Sequence, residues 1–308
     1  MRKLGRFLEY SGVWNLRDLI DGRLNNYWPL LTRGVFGGGY NMTYYLSTIQ
    51  YITIQVLSDA VNFGSLTNPK SKSAACADFT RGVFGGGYNN GSVSVMEYIT
   101  IQVFGNAIDF GDLSSNKSEI ASCADHIRGL FGGGSSLNTV DYITIQTTSN
   151  TLDFGDLTVA RQALAACADS SRGVFGGGFT TASVNTLDYV TIQTTSNATD
   201  FGDLRVSTNG LSSCADSTRG VFGGGWTGSV YTSLIEYITI QTTGTVTDFG
   251  YLSSGINGKG ACADVTRGVF AGGVAQNYIE YITLQTTGNT TGFGYLLNKP
   301  EGVAACSA

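Results

Sequence analysis

Apolar residues along most of this chain come in short bursts of alternating character, without the three-to-four spacing of a helix. In one stretch Ile143 and Ile145 alternate with Tyr142 and Thr144, which puts the isoleucines on one side of a strand and the other two on the opposite side. Just upstream, Leu130 and Phe131 are adjacent, so a strand there points one large apolar side chain to each face. Asp153-Phe154-Gly155-Asp156-Leu157 reads as a further short strand broken by glycine, and Ser122-Cys123-Ala124 as one built of small residues. The pattern predicts four short strands in succession. Apolar residues on both faces imply a sheet covered on both sides, because a free antiparallel sheet shows a polar side.

The same four-strand pattern recurs. Its signature is Cys-Ala-Asp-x-x-Arg-Gly-Val-Phe-Gly-Gly-Gly, then Tyr-Ile-Thr-Ile-Gln, then Asp-Phe-Gly-Asp-Leu, with the arginine at Arg33, Arg81, Arg128, Arg172, Arg219 and Arg267. Four strands in a unit of this size are the blade of a β-propeller. The predicted fold is all-β: a six-bladed propeller over residues 31–308, with residues 1–30 as an N-terminal extension. The small Cys-Ala strand suits the crowded position nearest the axis, and the glycines suit a positive φ where the second strand ends.

The two ends of the repeat array are out of phase. The first unit lacks the Cys-Ala-Asp strand, and Tyr27-Trp28-Pro29-Leu30-Leu31 stands in its place. The chain finishes on Gly302-Val303-Ala304-Ala305-Cys306, a first strand with nothing after it. We therefore expect the C-terminal strand to complete the first blade, closing the ring and removing two open edges. In the extension, Leu16, Leu19, Ile20 and Leu24 fall on one face of a short helix over 15–24, with Asn15 as cap and Asp18 in the capping-box position. Two readings of this segment stay open: a plug packed on the propeller itself, or an anchor in which Trp14, Leu16, Leu19 and Ile20 dock on another protein.

Strand parity separates two faces. In a four-stranded antiparallel blade the 1–2 and 3–4 turns share one face, and the 2–3 and 4–1 connections share the other. The 1–2 turns keep Asp-x-x-Arg, and the 3–4 turns are mostly Gln-Thr-Thr variants, whereas the 2–3 loops differ in length and content. The varied face is the candidate binding surface, since loops on a rigid scaffold carry recognition. Directly after the glycines stand Tyr40, Tyr88, Ser135, Phe179, Trp226 and Val274, with Tyr44, Tyr45 and Tyr231 nearby. The candidate binding residues are Tyr40, Tyr44, Tyr88, Phe179, Trp226 and Tyr231, which can stack on sugars or anchor a protein partner. Packing of these rings at the blade ends is the plainer alternative.

Composition narrows the chemistry. A net charge of −5 with no basic run argues against nucleic acid as partner. No apolar run approaches the ~18–20 residues of a membrane-spanning helix. The 6 cysteines occur once per repeat, at Cys76, Cys123, Cys167, Cys214, Cys262 and Cys306, too far apart around a ring for disulfides, so they read as reduced core residues. The single histidine, His126, reads as a solvated turn residue, and without any Cys-x-x-Cys pair a zinc site is not expected. Gly-Gly-Gly has no Lys-Ser/Thr after it, and Asp-Phe-Gly is a repeated strand. The Asp and Arg of each 1–2 turn are expected to fix that turn, with a ring of ion pairs as one way of doing so. No residue set departs from the repeat as a catalytic site would, so neither an enzyme nor a cofactor or metal is expected.

Strand, diglycine, third-strand Tyr and fourth-strand aromatic together resemble the kelch pattern of β-propellers. This chain departs from it by carrying Phe63, Phe110, Phe154, Phe201, Phe249 and Phe293 where kelch repeats have Trp. The fuller phrase, Thr-Arg-Gly-Val-Phe-Gly-Gly-Gly with Tyr-Ile-Thr-Ile-Gln, resembles kelch-like repeat proteins of tailed marine and cyanobacterial phages. Ser11-Gly12-Val13-Trp14-Asn15-Leu16 with Trp28-Pro29 is similar to a leader found before repeats in such proteins. The resemblance implies a virion structural protein of tail, neck or fibre, present in several copies. It would be joined to other virion proteins through residues 1–30, with a host-surface glycan or protein as a further partner. A purely architectural virion part and a glycan-active propeller enzyme are the alternatives.

Overall fold

The computed structural model describes residues 31–244 and 246–308. The helix expected over 15–24, with Trp14, Leu16, Leu19 and Ile20, lies outside the described residues. Thr32–Ala308 forms one compact unit of 24 strands in six antiparallel four-stranded sheets, a six-bladed β-propeller. The first blade consists of β1 (Arg33–Gly37), β2 (Thr48–Thr53), β3 (Val61–Ser65) and the last strand, β24 (Ala304–Ser307), in the order β24-β1-β2-β3. Blades 2 to 6 each take four consecutive strands, beginning with β4 (Ala74–Ala77). The C-terminal strand thus closes the ring: Cys306 stands opposite Val35, and Arg33 and Ala308 exchange backbone hydrogen bonds of 2.8 and 3.1 Å.

Each hydrophobic cluster lies between two blades, which explains why both faces of every strand are apolar. Ile143 and Ile145 of blade 3 pack with Val83, Met96 and Phe110 of blade 2, while Tyr142 on the opposite face joins Phe175, Val190 and Ile192 of blade 4. Burial of one such side chain stabilises by about 1.5–3 kcal/mol. The second-strand Phe of one blade lies on the first glycine of the preceding Gly-Gly-Gly: a Cβ on Gly132 would stand 2.6 Å from Phe175. The cysteines work in the same way. Cys123 Sγ sits where a Cβ on Gly173 would be only 2.7 Å away, and the other five cysteines meet the glycine of an Arg-Gly pair on the neighbouring blade alike. The six thiols are free and buried, and desolvation pushes all of them up, Cys306 to about 12. Ellman's reagent at pH 8 should therefore label none of them in the folded protein and all of them in denaturant; fast labelling of the native chain would contradict this packing.

The arginines of the 1–2 turns do not pair with the neighbouring aspartates, contrary to the ion-pair ring allowed by sequence. Each guanidinium lies 4.1–4.9 Å from the third-strand Tyr ring of its own blade. Each also donates to a backbone carbonyl of the next blade at 2.9–3.1 Å, for example Arg172 to Ile240. The aspartate does two other things. Asp169 Oδ1 accepts the backbone N–H groups of Ser171 and Arg172 at 2.8 and 2.7 Å, and Oδ2 accepts Gln241 Nε2 of the next blade at 2.6 Å. Burial alone would raise this carboxyl, but those hydrogen bonds outweigh it and hold it below the usual Asp range. In blade 1 the terminal Ala308 carbonyl takes the aspartate's place and accepts from Gln102 at 3.3 Å. At the rim, the Gly of Asp-Phe-Gly lets the next blade's 3–4 turn approach: Gly155 has φ 141°, and a Cβ there would stand 2.5 Å from the Ser196 carbonyl oxygen.

A second inter-blade device was not visible in the sequence. The residue before the third-strand Tyr is Gln50, Glu97, Asp141, Asp188, Glu236 or Glu280, and all six are buried. Three of the carboxylates meet a cation arriving from the preceding blade: Lys70–Glu97, Lys117–Asp141 and Arg161–Asp188, each at 2.7 Å and almost solvent-free. Glu280 pairs at 3.0 Å with Lys259 at the start of its own blade's innermost strand.

Candidate binding face

Strand pairing confirms the parity argument, since 2–3 and 4–1 connections meet on one face. Isolated bridges join Tyr40 to Glu301, Tyr88 to Ser71, Phe179 to Gln162 and Trp226 to Asn209. Each residue after the glycines is thus held by the connection that leads into an innermost strand. The residues just beyond form a closed ring about the axis. Lys72, Glu119, Ala163, Gly210, Gly258 and Gly302 all have left-handed φ of 55–70°. The N–H of each donates to the carbonyl of the one before it, Gly302 in turn accepting from Lys72, at 2.7–3.0 Å. This hydrogen-bonded annulus surrounds the mouth of a central channel of about 540 Å³, walled by small residues such as Ala75, Ser122, Ala166 and Ser213. Lys72 and Glu119, neighbours in the ring, also pair through their side chains at 2.6 Å.

The aromatic candidates gather in two groups. In blades 1 and 2, Tyr45 lies 5.2 Å from Tyr40 and 6.0 Å from Tyr88, and Tyr44 next to it is 59% exposed. In blade 5, Trp226 and Tyr231 stand edge to face at 4.8 Å, with Tyr231 48% exposed. Phe179 of blade 4 is half-buried, and its loop reaches the same place, since Ser183 Oγ donates to the Trp226 carbonyl at 3.1 Å. The shortest 2–3 connections, 133–138 and 273–277, belong to blades 3 and 6, which stand opposite each other in a ring of six. These two blades also carry Ser135 and Val274 where the others carry aromatics. The face therefore has an aromatic ridge on each side of the axis and a low path between them.

The opposite face is less uniform than its repeated motifs suggest. Val56 and Leu57 of blade 1, Phe79, Val103 and Phe104 of blade 2, and Ile127 of blade 3 are exposed, whereas blades 4 and 5 carry Ser or Thr at the matching turn positions. Val103 and Phe104 are 63% and 56% exposed. His126 is exposed as expected, but it also stacks on Phe79 at 4.1 Å. The sequence signal was present in Val-Leu and Val-Phe, which replace Thr-Thr after Gln55 and Gln102, but the repeat hid it. Among the described residues no helix is long and apolar enough to cross a membrane. No protein-family model matches the chain, and no curated protein is detectably similar to it in sequence.

Proposed function

We propose that the protein is a non-enzymatic component of a phage particle, kelch-like in its repeats, whose propeller presents the aromatic face to a host-surface glycan or protein. The observation that carries this reading is the bracing of the exposed Tyr44, Tyr88 and Tyr231, with the half-buried Trp226 beside them, on a frame that loses little entropy on binding. Their loops are tied to an axial ring of hydrogen bonds, so the rings are ordered before a ligand arrives. Offset aromatic surfaces on both sides of a low path suit a chain-like ligand laid across the axis, such as a polysaccharide. Residues 1–30 would join the propeller to other virion proteins.

The test is binding of the full-length protein to host cells and to an array of surface glycans. Paired substitution of Tyr44 and Tyr88, or of Trp226 and Tyr231, by Ala should weaken binding at least tenfold and leave the melting midpoint within about 3 °C. Unaltered affinity in both double variants would refute the aromatic face as the binding surface.

A second, architectural reading is favoured by one observation. The exposed Val56, Leu57, Val103 and Phe104 form an apolar sector on the other face, of the kind that contacts a neighbouring protein. Under this reading the protein binds no glycan or cell but copurifies with a particle protein, and V103S/F104S releases that protein. Hydrolysis of a host polysaccharide, lost on changing a single carboxylate, would instead identify an enzyme.

A further inference from the structure

The six blades permit an internal comparison at Glu236. The residues Lys70, Lys117, Arg161, Thr208, Ile256 and Pro300 occupy one equivalent place, since their carbonyls accept the N–H groups of Gly39, Gly87, Gly134, Gly178, Gly225 and Gly273 in turn. The first three send their charge to the next blade's buried carboxylate. Where Ile256 stands, Lys259 neutralises Glu280 from another position. Where Pro300 stands, the carboxylate itself is replaced by the neutral Gln50, which accepts the Leu297 N–H at 2.7 Å. Charge is thus balanced at five of the six interfaces. At the sixth, between blades 4 and 5, Thr208 faces Glu236, which is only 5% exposed.

Arg205 does not fill the cation's role. Its Nε lies 3.9 Å from Glu236 Oε1, its side chain is half exposed, and its NH1 is shared with Asp248 at 3.3 Å. Burial pushes the Glu236 carboxyl above its ordinary range, against the backbone N–H and charge of Arg205. Beside Glu236 there is a cavity of about 10 Å³ for the centre of a water-sized sphere, lined by Leu204, Thr208, Phe222, Gly224, Leu234 and Glu236 among others. One small occupant fits such a space. The counterparts of Phe222 and Gly224 in blade 4, Phe175 and Gly177, turn their carbonyls to Arg161 at 3.3 and 2.9 Å. The cavity therefore takes the place of that guanidinium, with Phe222, Gly224 and Glu236 in its lining where Phe175, Gly177 and Asp188 accept from Arg161; the third carbonyl, that of Val206, accepts from Thr208 Oγ1 at 2.9 Å instead.

We infer that a monovalent cation, Na⁺, K⁺ or NH₄⁺, binds in this cavity, held by the Glu236 carboxylate and the carbonyl groups of Phe222 and Gly224, the counterparts of two that accept from Arg161 in the preceding interface. It neutralises the Glu236 charge and pins blade 4 to blade 5. Oxygen ligands and a single negative charge suit a hard monovalent ion.

The experiment is thermal unfolding of the full chain at pH 8 in NaCl, KCl, NH₄Cl or tetramethylammonium chloride at equal ionic strength. At a concentration about tenfold above the dissociation constant, the best small cation should raise the midpoint by about 3 °C over tetramethylammonium. Thr208→Lys, which copies blades 1 and 2, and Glu236→Gln, which copies Gln50, should each remove that dependence. A crystal grown with Rb⁺ or Tl⁺ should show an anomalous peak within coordination distance of Glu236. Equal midpoints in all four salts, together with no such peak, would mean that a proton neutralises Glu236 or a water solvates it, and would overturn the inference. Cation dependence that survives in both variants would place the ion elsewhere and overturn it equally.

Discussion

Removal of residues 302–308 should lower the melting midpoint by more than about 10 °C or abolish cooperative unfolding altogether. These residues supply the whole of β24, and with it the ladder to β1. Val303, Ala304 and Cys306 would leave the core, and Gly82 would lose the sulfur that packs on it. Gly302 would no longer close the axial ring, and Ser307 Oγ would no longer donate to the Ala263 carbonyl at 2.6 Å. Each net hydrogen bond contributes roughly 1 kcal/mol and each buried side chain about 1–2, so the loss exceeds ~5 kcal/mol. For a domain of this size each kcal/mol shifts the midpoint by roughly 2–4 °C. The cut also leaves β1 with a bare edge and separates blade 1 from its closing strand, so aggregation on heating is expected as well. Circular dichroism melts of the truncated and intact proteins decide the matter, with Ser307→Ala as a mild control. An unchanged midpoint on truncation would show that ring closure contributes nothing to stability.

Substitution of Arg161 by Met should be the most damaging single change, at about 3–5 kcal/mol. The side chain is fully buried and donates to the Gly177, Phe175 and Val159 carbonyls as well as to Asp188. A charge pair of this kind need not stabilise more than apolar residues would, because both ions have given up water. Removing one partner is different, since Asp188 is left as a buried charge whose remaining hydrogen bonds come from Thr158. Denaturant titration of Arg161→Met, Asp188→Leu and the double variant tests this. The double variant should be less destabilised than the sum of the single ones by at least about 1.5 kcal/mol. Simple additivity would mean that the pair is not coupled and that the cost of Arg161→Met is lost packing alone.

Much of the architecture was legible before any coordinates. The alternation at Tyr142–Ile145, the adjacent Leu130 and Phe131 and the recurring Arg predict four two-faced strands per unit and six units. The offset between Leu31 and Cys306 predicts which strand closes the ring. These inferences succeed because strand period and repeat period are local properties of the chain. The role of the glycines was only partly legible. Positive φ where the second strand ends was foreseen, but Gly173 in Arg-Gly is there for a sulfur on another blade, a contact between residues 50 positions apart in sequence. The destination of the six arginines was missed for the same reason. Asp169 and Arg172 are neighbours in the turn, yet the tertiary fold gives Arg172 a Tyr ring and a carbonyl from the next blade instead.

The candidate site divides along the same line. Sequence parity assigned Tyr40, Tyr44, Tyr88, Phe179, Trp226 and Tyr231 to one face, and they lie there. Their grouping into two ridges, the hydrogen-bonded ring behind them and the apolar sector on the opposite face needed the closed ring to be seen.

By itself, then, the sequence determined the blade, its strand order, the number of blades and the face each loop occupies, since all of these follow from periodicities within some fifty residues. Only the tertiary structure decided which buried charges are matched, which glycines receive a neighbour and where exposed aromatics meet. Those depend on surfaces that adjoin only once neighbouring blades have packed on one another.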